Sequence, residues 1–340
     1  MTTAPATIVS PSVRHLIDAS GAVLERVTRD EVVRRLDGEG FFWLDLPAVG
    51  DEEVAWMRDV FRFHPLAIDD VEQRNERPKL DDYGDYVFLV LYGSGTSGSQ
   101  PADLLRLAEV HCFISEKYLV TVHEGDCPAF GELAARLKAR RAPARSPSEL
   151  VYRVADTLVD SFFPVLSELD DQIDVLQGQV IQRPTNEQLA SLLDYRSSLI
   201  AMRRVVSPQR DIMASVASGV TQLPGFTDES QRYFRDIYDH LIRLSDMIDG
   251  YRDLLSGTTD AYLSVVSNQL NVVMKQLTII STVFLPLAFI TGFFGQNFGW
   301  MTSRLGSWEV FVLLGLLTEL VAVGLMLLLF KRRGWLGSKT

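Results

Sequence analysis

The sequence predicts an α+β protein, in which a cytosolic α/β domain is followed by long helices and then by a two-helix transmembrane hairpin. Three observations lead to this prediction. Short segments rich in β-branched and aromatic residues occur within residues 1–150. Apolar residues then recur at spacings of three and four along most of the remaining chain. Two long apolar segments lie near the C-terminus, where the preceding sequence is much more polar.

The composition narrows the class of protein before any motif is considered. The net charge of −11, without a basic segment interleaved with aromatic residues, argues against nucleic acid as a partner. The acid excess suits cations, although it equally suits a soluble acidic surface. Cys112 and Cys127 form no disulfide framework and no metal-ligand pattern, which favours a reduced, cytosolic setting. We expect no cleavable signal peptide, because no long apolar core follows a basic start.

Residues 1–150 are predicted to form the cytosolic α/β domain. Gly40–Leu46 (GFFWLDL) predicts a short strand, and the acidic segment GDEEVAWMRDVF after it predicts a capped helix start. Asp85–Gly93 and His111–Glu124 are rich in β-branched and aromatic residues, so we expect strands there as well.

A glycine pattern after the strand at Asp85–Gly93 resembles a nucleotide-binding motif. Gly93, Gly95 and Gly98 have the spacing GxGxxG. A nucleotide site needs a helix N-terminus next, because the pyrophosphate binds its free N–H groups. Here Pro101 and another predicted strand follow, so we interpret the segment as a hairpin loop.

Helical periodicity dominates from residue 151 onward. Residues 151–225 predict a helical hairpin with a break at Pro184 and a second helix ending before Pro208. Residues 226–276 predict a stalk helix that leads directly into the first apolar segment.

The C-terminal part predicts two membrane spans, each near the ~20 residues needed to cross ~30 Å of hydrocarbon. Two buried core helices are the alternative. The predicted divisions are transmembrane helix 1 with its terminal motif (277–297), an extracytoplasmic loop (298–309), transmembrane helix 2 (310–330) and a basic cytosolic tail (331–340).

The positively charged residues that flank the two spans predict the orientation of this hairpin in the inner membrane. Lys275 precedes the first span and Lys331–Arg333 follow the second, whereas the connecting loop carries only Arg304. Under the positive-inside rule both termini are cytosolic.

Carboxylates recur every seven residues along the stalk, a spacing that keeps them near one helix face. For any single carboxylate, the simpler interpretation is an ordinary charge on a solvent-exposed face of the stalk. Asp260 differs, because the same face continues into the span through Ser267, Met274, Ser281 and Ala288. An acidic ring followed by a narrow, partly apolar tube predicts a cation path, which requires a ring of identical chains. The acidic series is Asp239, Asp246, Asp253 and Asp260.

The segment NVVMKQLTIISTVFLPLAFITGFFGQNFGWM (271–301) resembles the first membrane helix and signature loop of CorA-type magnesium transporters. The resemblance extends upstream to residues 233–271, to LVDSFFPVLSELDDQIDVL (158–176) and to HPLAIDDVEQRNERPKLDDYGDYVFLVLY (64–92). It implies a homopentameric, channel-like transporter with a cytosolic α/β funnel, in which one long helix per subunit lines the pore.

In that family a Gly-Met-Asn triplet at the outer mouth binds hydrated magnesium. Here Gly295 and Asn297 match, and Gln296 replaces the methionine. Amide oxygens suit Mg²⁺, which prefers oxygen ligands and dehydrates reluctantly. Gln296 either contacts the ion or supports the loop by hydrogen bonding. The triplet is the predicted selectivity filter.

The resemblance also assigns pore and regulatory residues. Met274 and Leu277 would form an apolar constriction, with Asn271 holding an ion below it and Asp260 at the cytosolic entrance. Asp70 and Asp236, with Asp69 nearby, would bind regulatory Mg²⁺ between subunits, although each acid alone fits an ordinary surface charge. The remaining positions implied to face the pore are Ser281, Leu285, Ala288 and Gly292.

The function implied is passive influx of Mg²⁺, with Co²⁺ and Ni²⁺ as further substrates, driven by membrane potential and gated by cytosolic Mg²⁺. A zinc transporter similar to ZntB, with or without proton coupling, is the alternative, since those relatives also lack the methionine. The absence of a histidine or cysteine cluster near the pore favours magnesium. Expected partners are divalent metal ions, membrane lipid and identical chains.

Two further features bear on function. No GxxxxGK[ST] loop is present and the five histidines form no visible catalytic set, so we expect neither an enzyme nor an organic cofactor. A membrane-anchored enzyme is the competing class. Glu319 lies within the second span, where a carboxylate is costly; it is either protonated or bonded to a neighbouring helix, for instance near Thr318, and a functional role is a further alternative.

Overall fold

The computed structural model divides the chain into two compact units, residues 1–259 and 260–340. The residues that it describes are 14–18, 21–95, 106–124, 127–131, 133, 146–296, 298–304 and 306–335.

A seven-stranded mixed sheet lies in the first unit, within the described residues. The strand order is β2-β1-β3-β7-β6-β5-β4, with β3 and β7 parallel and the other neighbouring pairs antiparallel. The strands are β1 (His15–Asp18), β2 (Val23–Glu25), β3 (Phe42–Leu46), β4 (Leu80–Asp82), β5 (Val87–Ser94), β6 (Leu107–Ile114) and β7 (Tyr118–His123).

The central strands form where apolar and β-branched residues are continuous. Every residue of β3 and β5 is buried, as expected for strands covered on both faces. The predicted strands at Gly40–Leu46 and Asp85–Gly93 are both observed. The segment His111–Glu124 contains half of β6 and all of β7. Ser115 closes the turn between them, because its Oγ accepts hydrogen bonds from two backbone N–H groups of that turn.

The GxGxxG pattern lies at the end of β5, and its third glycine, Gly98, is outside the described residues. The next described element is β6, which is antiparallel to β5, as a hairpin requires. Gly93 approaches the helix that follows the sheet closely, since a Cβ there would lie 2.9 Å from Leu158 Cδ2. Glycine at position 93 therefore allows β5 and that helix to pack closely together.

In the described part of the first unit, six helices with established bounds precede the long helix, and residues 128–131 are also helical. Three short helices accompany the sheet strands, and three longer ones follow, of which the first packs on β5 and β7. The helices are α1 (Arg29–Asp37), α2 (Asp51–Asp59), α3 (Pro65–Gln73), α4 (Pro147–Asp160), α5 (Phe162–Gln182) and α6 (Asn186–Ala217).

The predicted break at Pro184 is observed, but the predicted end before Pro208 is wrong. Helix α6 begins beyond Pro184 with a capping box formed by Thr185 and Gln188, and it continues through Pro208 to Ala217. An internal proline costs about 3 kcal/mol. Burial on both sides offsets this cost, and the fully buried Gln209 accepts a hydrogen bond from the Tyr92 N–H of β5 (2.9 Å).

Helix α7 (Asp228–Phe294) contributes residues 228–259 to the first unit and 260–294 to the second. In the first unit it buries one stripe at helical spacing, including Phe234, Leu241 and Ile248. After it come α8 (Gly299–Arg304), α9 (Trp308–Val310), a π-helical stretch (Phe311–Leu316) and α10 (Leu317–Arg332).

Among the described residues, two helical segments are long and apolar enough to cross a membrane, α7 and residues 308–332, and their apolar windows are not buried within the chain. This agrees with the predicted hairpin at the C-terminus. The π-helical stretch was not predicted, because the apolar sequence there carries no signal that separates π-helix from α-helix.

Candidate ion pathway and metal sites

The residues predicted to line the pore share one face of α7. At roughly 100° per residue, the eight positions from Asp260 to Gly292 fall within an arc of roughly 120°. Their side chains are exposed in the single chain; Met274, Leu277 and Leu285, for example, are 59%, 55% and 74% exposed. Exposure alone does not distinguish this face from the rest of the helix surface, since the Phe284 side chain on α7 is also 66% exposed.

Helix α7 ends at the predicted selectivity filter. Gly295 N–H donates to Thr291 O (2.8 Å), and a Cβ on Gly295 would lie 3.0 Å from that carbonyl, so the helix end favours glycine. Gln296 O accepts from Phe298 N–H (2.8 Å), and its side chain forms no hydrogen bond to another described residue. Asn297 lies outside the described residues.

A cavity of about 580 Å³ lies beside this helix end, between the two apolar helices of the second unit. Its lining is mostly apolar and includes Thr291, Gly295 and Glu319. The neighbouring Thr318 hydroxyl donates to the Leu314 and Gly315 carbonyls of the π-helical stretch. Glu319 has no hydrogen bond or ion pair to another described residue. In the single chain the Thr318 hydroxyl bonds backbone carbonyls, and the bond from Glu319 to a neighbouring helix stays a prediction.

Asp69 and Asp70 lie on α3 and are both engaged within the chain. Asp69 Oδ2 accepts from Gln73 Nε2 (2.8 Å), and Asp70 Oδ2 accepts from Lys79 Nζ (2.6 Å). Lys79 Nζ also lies 3.6 Å from Asp81 Oδ2. Burial opposes the charged ammonium, but the hydrogen bond and charge of Asp70 and the neighbouring carboxylates raise the pKa of Lys79. A cation reaching Asp70 must therefore compete with a charged lysine.

Asp236 lies on α7 beside an acidic and histidine cluster. His240, one turn further along, has Nδ1 3.0 Å from Asp160 Oδ1 and Nε2 4.0 Å from Asp236 Oδ1. Asp156, Asp160 and His240 offer ligand atoms that all lie within 4.8 Å of one another. Burial, followed by the charges of Asp156, Asp236 and Asp160, raises the pKa of Tyr152 to about 12. Asp156, Asp160 and Asp236 therefore all lie near Tyr152, where α4 packs beside α7.

Sequence reasoning identified Asp236 but missed Asp156, Asp160 and His240. The i,i+4 pair Asp156/Asp160 and the i,i+4 pair Asp236/His240 are visible in the sequence. These two pairs come together only because α4 packs beside α7. That packing cannot be predicted from the spacing of residues within either helix. Asp70 and Asp236 have separate neighbours within the single chain, namely Lys79 and His240.

Comparison with known families decides the class of the chain. A family model described as CorA-like Mg²⁺ transporter protein matches residues 38–332. The chain belongs to the CorA family. The resemblance found in the sequence is thereby confirmed, and this CorA-family chain is a metal ion transporter, not an enzyme.

Relatives of this CorA-family chain match along nearly its whole length. YfjQ of Bacillus subtilis (strain 168), a chain named for metal ion transport, is 34% identical over 317 residues, which cover 92% of this chain and 93% of YfjQ. The cobalt/magnesium transport protein CorA of Thermotoga maritima is 32% identical over 297 residues, covering 86% and 83% of the two chains.

Solved structures confirm the predicted α+β fold with its long helix and C-terminal apolar hairpin. The complete CorA magnesium transporter from Methanocaldococcus jannaschii matches with a TM-score of 0.81 at 20% identity, covering 98% of this chain and 100% of that one. Full-length CmaX matches with a TM-score of 0.74 at 23% identity, covering 94% and 97%. The cytoplasmic domain of ZntB from Vibrio parahaemolyticus RIMD 2210633 matches at 0.58 and 14% identity, covering 75% and 98%. At these identities the likeness concerns the fold alone.

Proposed function

We propose that the chain forms a homopentamer in the inner membrane and conducts Mg²⁺ passively into the cytosol, driven by the membrane potential. The observation that carries this proposal is the uninterrupted helix α7, on which Asp260 and the predicted pore positions share one face. One such face becomes an axial tube only when several copies turn it inward. Both termini lie in the cytosol in this proposal, and membrane lipid surrounds residues 308–332.

The outer mouth supplies oxygen ligands to a hydrated ion. Copies of Gly295, Gln296 and Asn297 from each chain form a crown of amide and carbonyl oxygens, which suits an ion that keeps its water. The Gln296 side chain is exposed and unbonded to other described residues, which supports a role toward the ion over a role in the loop.

Below the mouth, the pore narrows at apolar side chains. Met274 and Leu277 close the pore by excluding water from it, as hydrophobic constrictions do in other channels. Asn271 holds the ion on the cytosolic side of this constriction, and Asp260 attracts cations at the entrance. Ser281, Leu285, Ala288 and Gly292 line the path between the constriction and the mouth.

Cytosolic Mg²⁺ closes the pore by bridging carboxylates of neighbouring subunits. Asp70, with Asp69 nearby, faces Asp236 of the next subunit in this proposal. The carboxylates of Asp156 and Asp160 near Asp236 support it, since carboxylates that repel one another are stabilised by a bound divalent cation. Loss of Mg²⁺ restores the repulsion and favours opening.

Magnesium is the proposed main substrate, with Co²⁺ and Ni²⁺ also carried. The matching family model and the Thermotoga relative are named for magnesium and for cobalt and magnesium, and they support this choice. A zinc transporter, coupled or not to protons, is the second candidate, because Gln296 replaces the methionine of the family triplet.

Flux into proteoliposomes tests the proposal. With an inside-negative potential, we expect Mg²⁺ entry that needs no pH gradient and that Asn297→Ala reduces strongly. Gln296→Met, which restores the family triplet, is the matched variant and should retain Mg²⁺ entry. Entry of Zn²⁺ alone, dependent on a pH gradient, would instead support the second candidate.

A further inference from the structure

Helices α5 and α6 lie on opposite sides of α7 in the first unit. The Tyr251 side chain of α7 interacts with Asp170 of α5, and Arg203 Nη1 of α6 lies 2.6 Å from Asp249 Oδ1 of α7. Tyr251 and Asp249 lie roughly 160° apart around α7, on either side of the buried stripe that includes Ile248. The group of three helices therefore has one flank formed by α5 with α7 and another formed by α6 with α7.

The flank formed by α5 with α7 is acidic. Helix α5 carries acidic residues but no lysine or arginine. Burial raises the pKa of Tyr251, and the charge of Asp170 raises it further. The charges of Asp171 and Asp174 act in the same direction, so these carboxylates lie near the tyrosine. Asp174 is exposed, and it has no hydrogen bond or ion pair to another described residue. This surface is called the acidic flank.

The α6 side of the other flank is basic and apolar. Arg196 and Arg204 are exposed there, and neither forms an ion pair with another described residue. Arginine is enriched in protein interfaces, so an exposed arginine without a partner in its own chain suits a contact with another chain. Four exposed residues lie within an arc of roughly 80° around α6 and define the basic flank: Leu193, Arg196, Ile200 and Arg204.

The opposite charges of the two flanks lie at matching heights along the helices. The Tyr195 hydroxyl of α6 donates to Gln172 Oε1 of α5 (2.7 Å), which sets the register of these antiparallel helices. Arg196 is therefore level with Asp171 and within about one helical turn of the height of Asp174. Within one chain the arginine and Asp174 lie on different flanks, so they do not pair there.

Two exposed leucines also lie at matching heights. Helices α5 and α7 run in the same direction, so Leu254, three residues beyond Tyr251, is level with residue 173 of α5. Leu254 is 43% exposed on the same side of α7 as Tyr251. The register of α5 and α6 places Leu193, which is 54% exposed, within about one residue of that height. Each flank thus presents a charge and a leucine at one level.

Rotational symmetry brings the two flanks of neighbouring chains together. In a ring whose axis runs along α7, rotation keeps every residue at its own height, and one flank of each chain faces the other flank of the next. Asp236, the proposed regulatory residue, lies roughly 60° from Tyr251 around α7, on the side of the acidic flank. The proposed Mg²⁺ contact and the acidic flank therefore face the same neighbour.

We propose that the acidic flank of one chain binds the basic flank of a second copy of this chain. Arg196 of one chain pairs with Asp174 of its neighbour, and Leu193 packs on the neighbouring Leu254. A second copy is the occupant because it carries the complementary charge at the matching height. Exposed ion pairs add little affinity, so these charges mainly fix which surfaces meet and in which register.

Cysteine cross-linking of the full-length protein in detergent tests the contact. Asp174→Cys/Arg196→Cys, treated with a short bifunctional maleimide, should give a ladder from dimer up to the closed ring on a denaturing gel. Each single variant should stay monomeric on the gel, because a contact between two different surfaces does not bring the same position of two chains together. Wild-type protein is the background control, since Cys112 and Cys127 are buried.

Charge exchange tests the same pair without new thiols. Asp174→Arg and Arg196→Asp should each lower the temperature at which the assembled protein dissociates. Asp174→Arg/Arg196→Asp should recover more than half of that loss, because the pair is restored with its charges exchanged. Glu168→Arg is the matched control: it makes the same change of charge on α5, roughly 120° away from Asp174, and should leave the dissociation temperature unchanged.

This inference rests on the ring of the proposed function, yet the two fail separately. Light scattering that gives a monomer overturns both. An assembled protein that conducts Mg²⁺ but gives no ladder with the two cysteines overturns the flank contact alone. A ladder from either single cysteine variant also contradicts it. If the cysteine variants fail to fold, the charge variants decide, and a double variant no more stable than the weaker single variant refutes the pairing.

Discussion

Lys79→Met should make Mg²⁺ bind more tightly at Asp70, the proposed regulatory ligand. The Lys79 ammonium is hydrogen-bonded to Asp70 (2.6 Å) and lies 3.7 Å from Glu76 Oε2 and 3.6 Å from Asp81 Oδ2. It therefore holds the place that a cation would take. Methionine keeps the length of the side chain and its contact with the Phe88 ring while removing the charge.

The size of the effect follows from Coulomb's law. A single and a double positive charge about 5 Å apart in water repel by roughly 1.7 kcal/mol, and physiological salt reduces this to about 1 kcal/mol. Loss of the competing hydrogen bond adds about 1 kcal/mol at most, since these side chains are partly exposed. The sum of about 1–2 kcal/mol corresponds to roughly 5- to 30-fold tighter binding, with tenfold near the middle of that range.

Protection from proteolysis across a Mg²⁺ titration measures this change in the full-length protein. We expect the half-point to fall about tenfold in Lys79→Met. Lys117→Met is the matched control, because Lys117 Nζ donates to the Leu36 carbonyl and should leave the half-point unchanged. The double variant Lys79→Met/Asp70→Asn should no longer show this fall in the Mg²⁺ half-point. A half-point that does not move in Lys79→Met refutes Asp70 as a ligand.

Three further outcomes test the fold. Burial raises the pKa of Cys127 to about 11, so this thiol stays protonated near pH 8; a thiol reagent should label it slowly in native protein and quickly after denaturation, and fast native labelling would contradict its burial. Phe113→Ala should lower stability by about 3–5 kcal/mol in denaturant melts, because the fully buried ring stacks on Phe63 at 3.8 Å; a loss below about 1 kcal/mol would contradict this packing. Thr185→Ala should cost about 1 kcal/mol by removing the α6 cap, whereas Thr185→Ser should cost much less.

The elements with strong local patterns were predictable from sequence. Strands β3 and β5 follow from continuous apolar and aromatic residues, and the apolar hairpin follows from its length and lack of charge. The family followed from the segment around Gly295–Asn297. In each case the physical cause lies within a few residues of the feature that it produces.

What could not be predicted depends on distant packing. Pro208 predicts a helix end, and the burial around it together with the hydrogen bond between Gln209 and β5 explains why α6 continues. His240 became a candidate ligand only once α4 was placed beside α7.

Thiol accessibility along α7 tests the central claim most directly. Ser281 lies on the predicted pore face, whereas Val283 lies roughly 180° from the centre of that face. We expect a water-soluble methanethiosulfonate to block Mg²⁺ flux through Ser281→Cys and to leave flux through Val283→Cys unchanged. Equal block of both variants, or block of Val283→Cys alone, would contradict an axial path along this face of the helix.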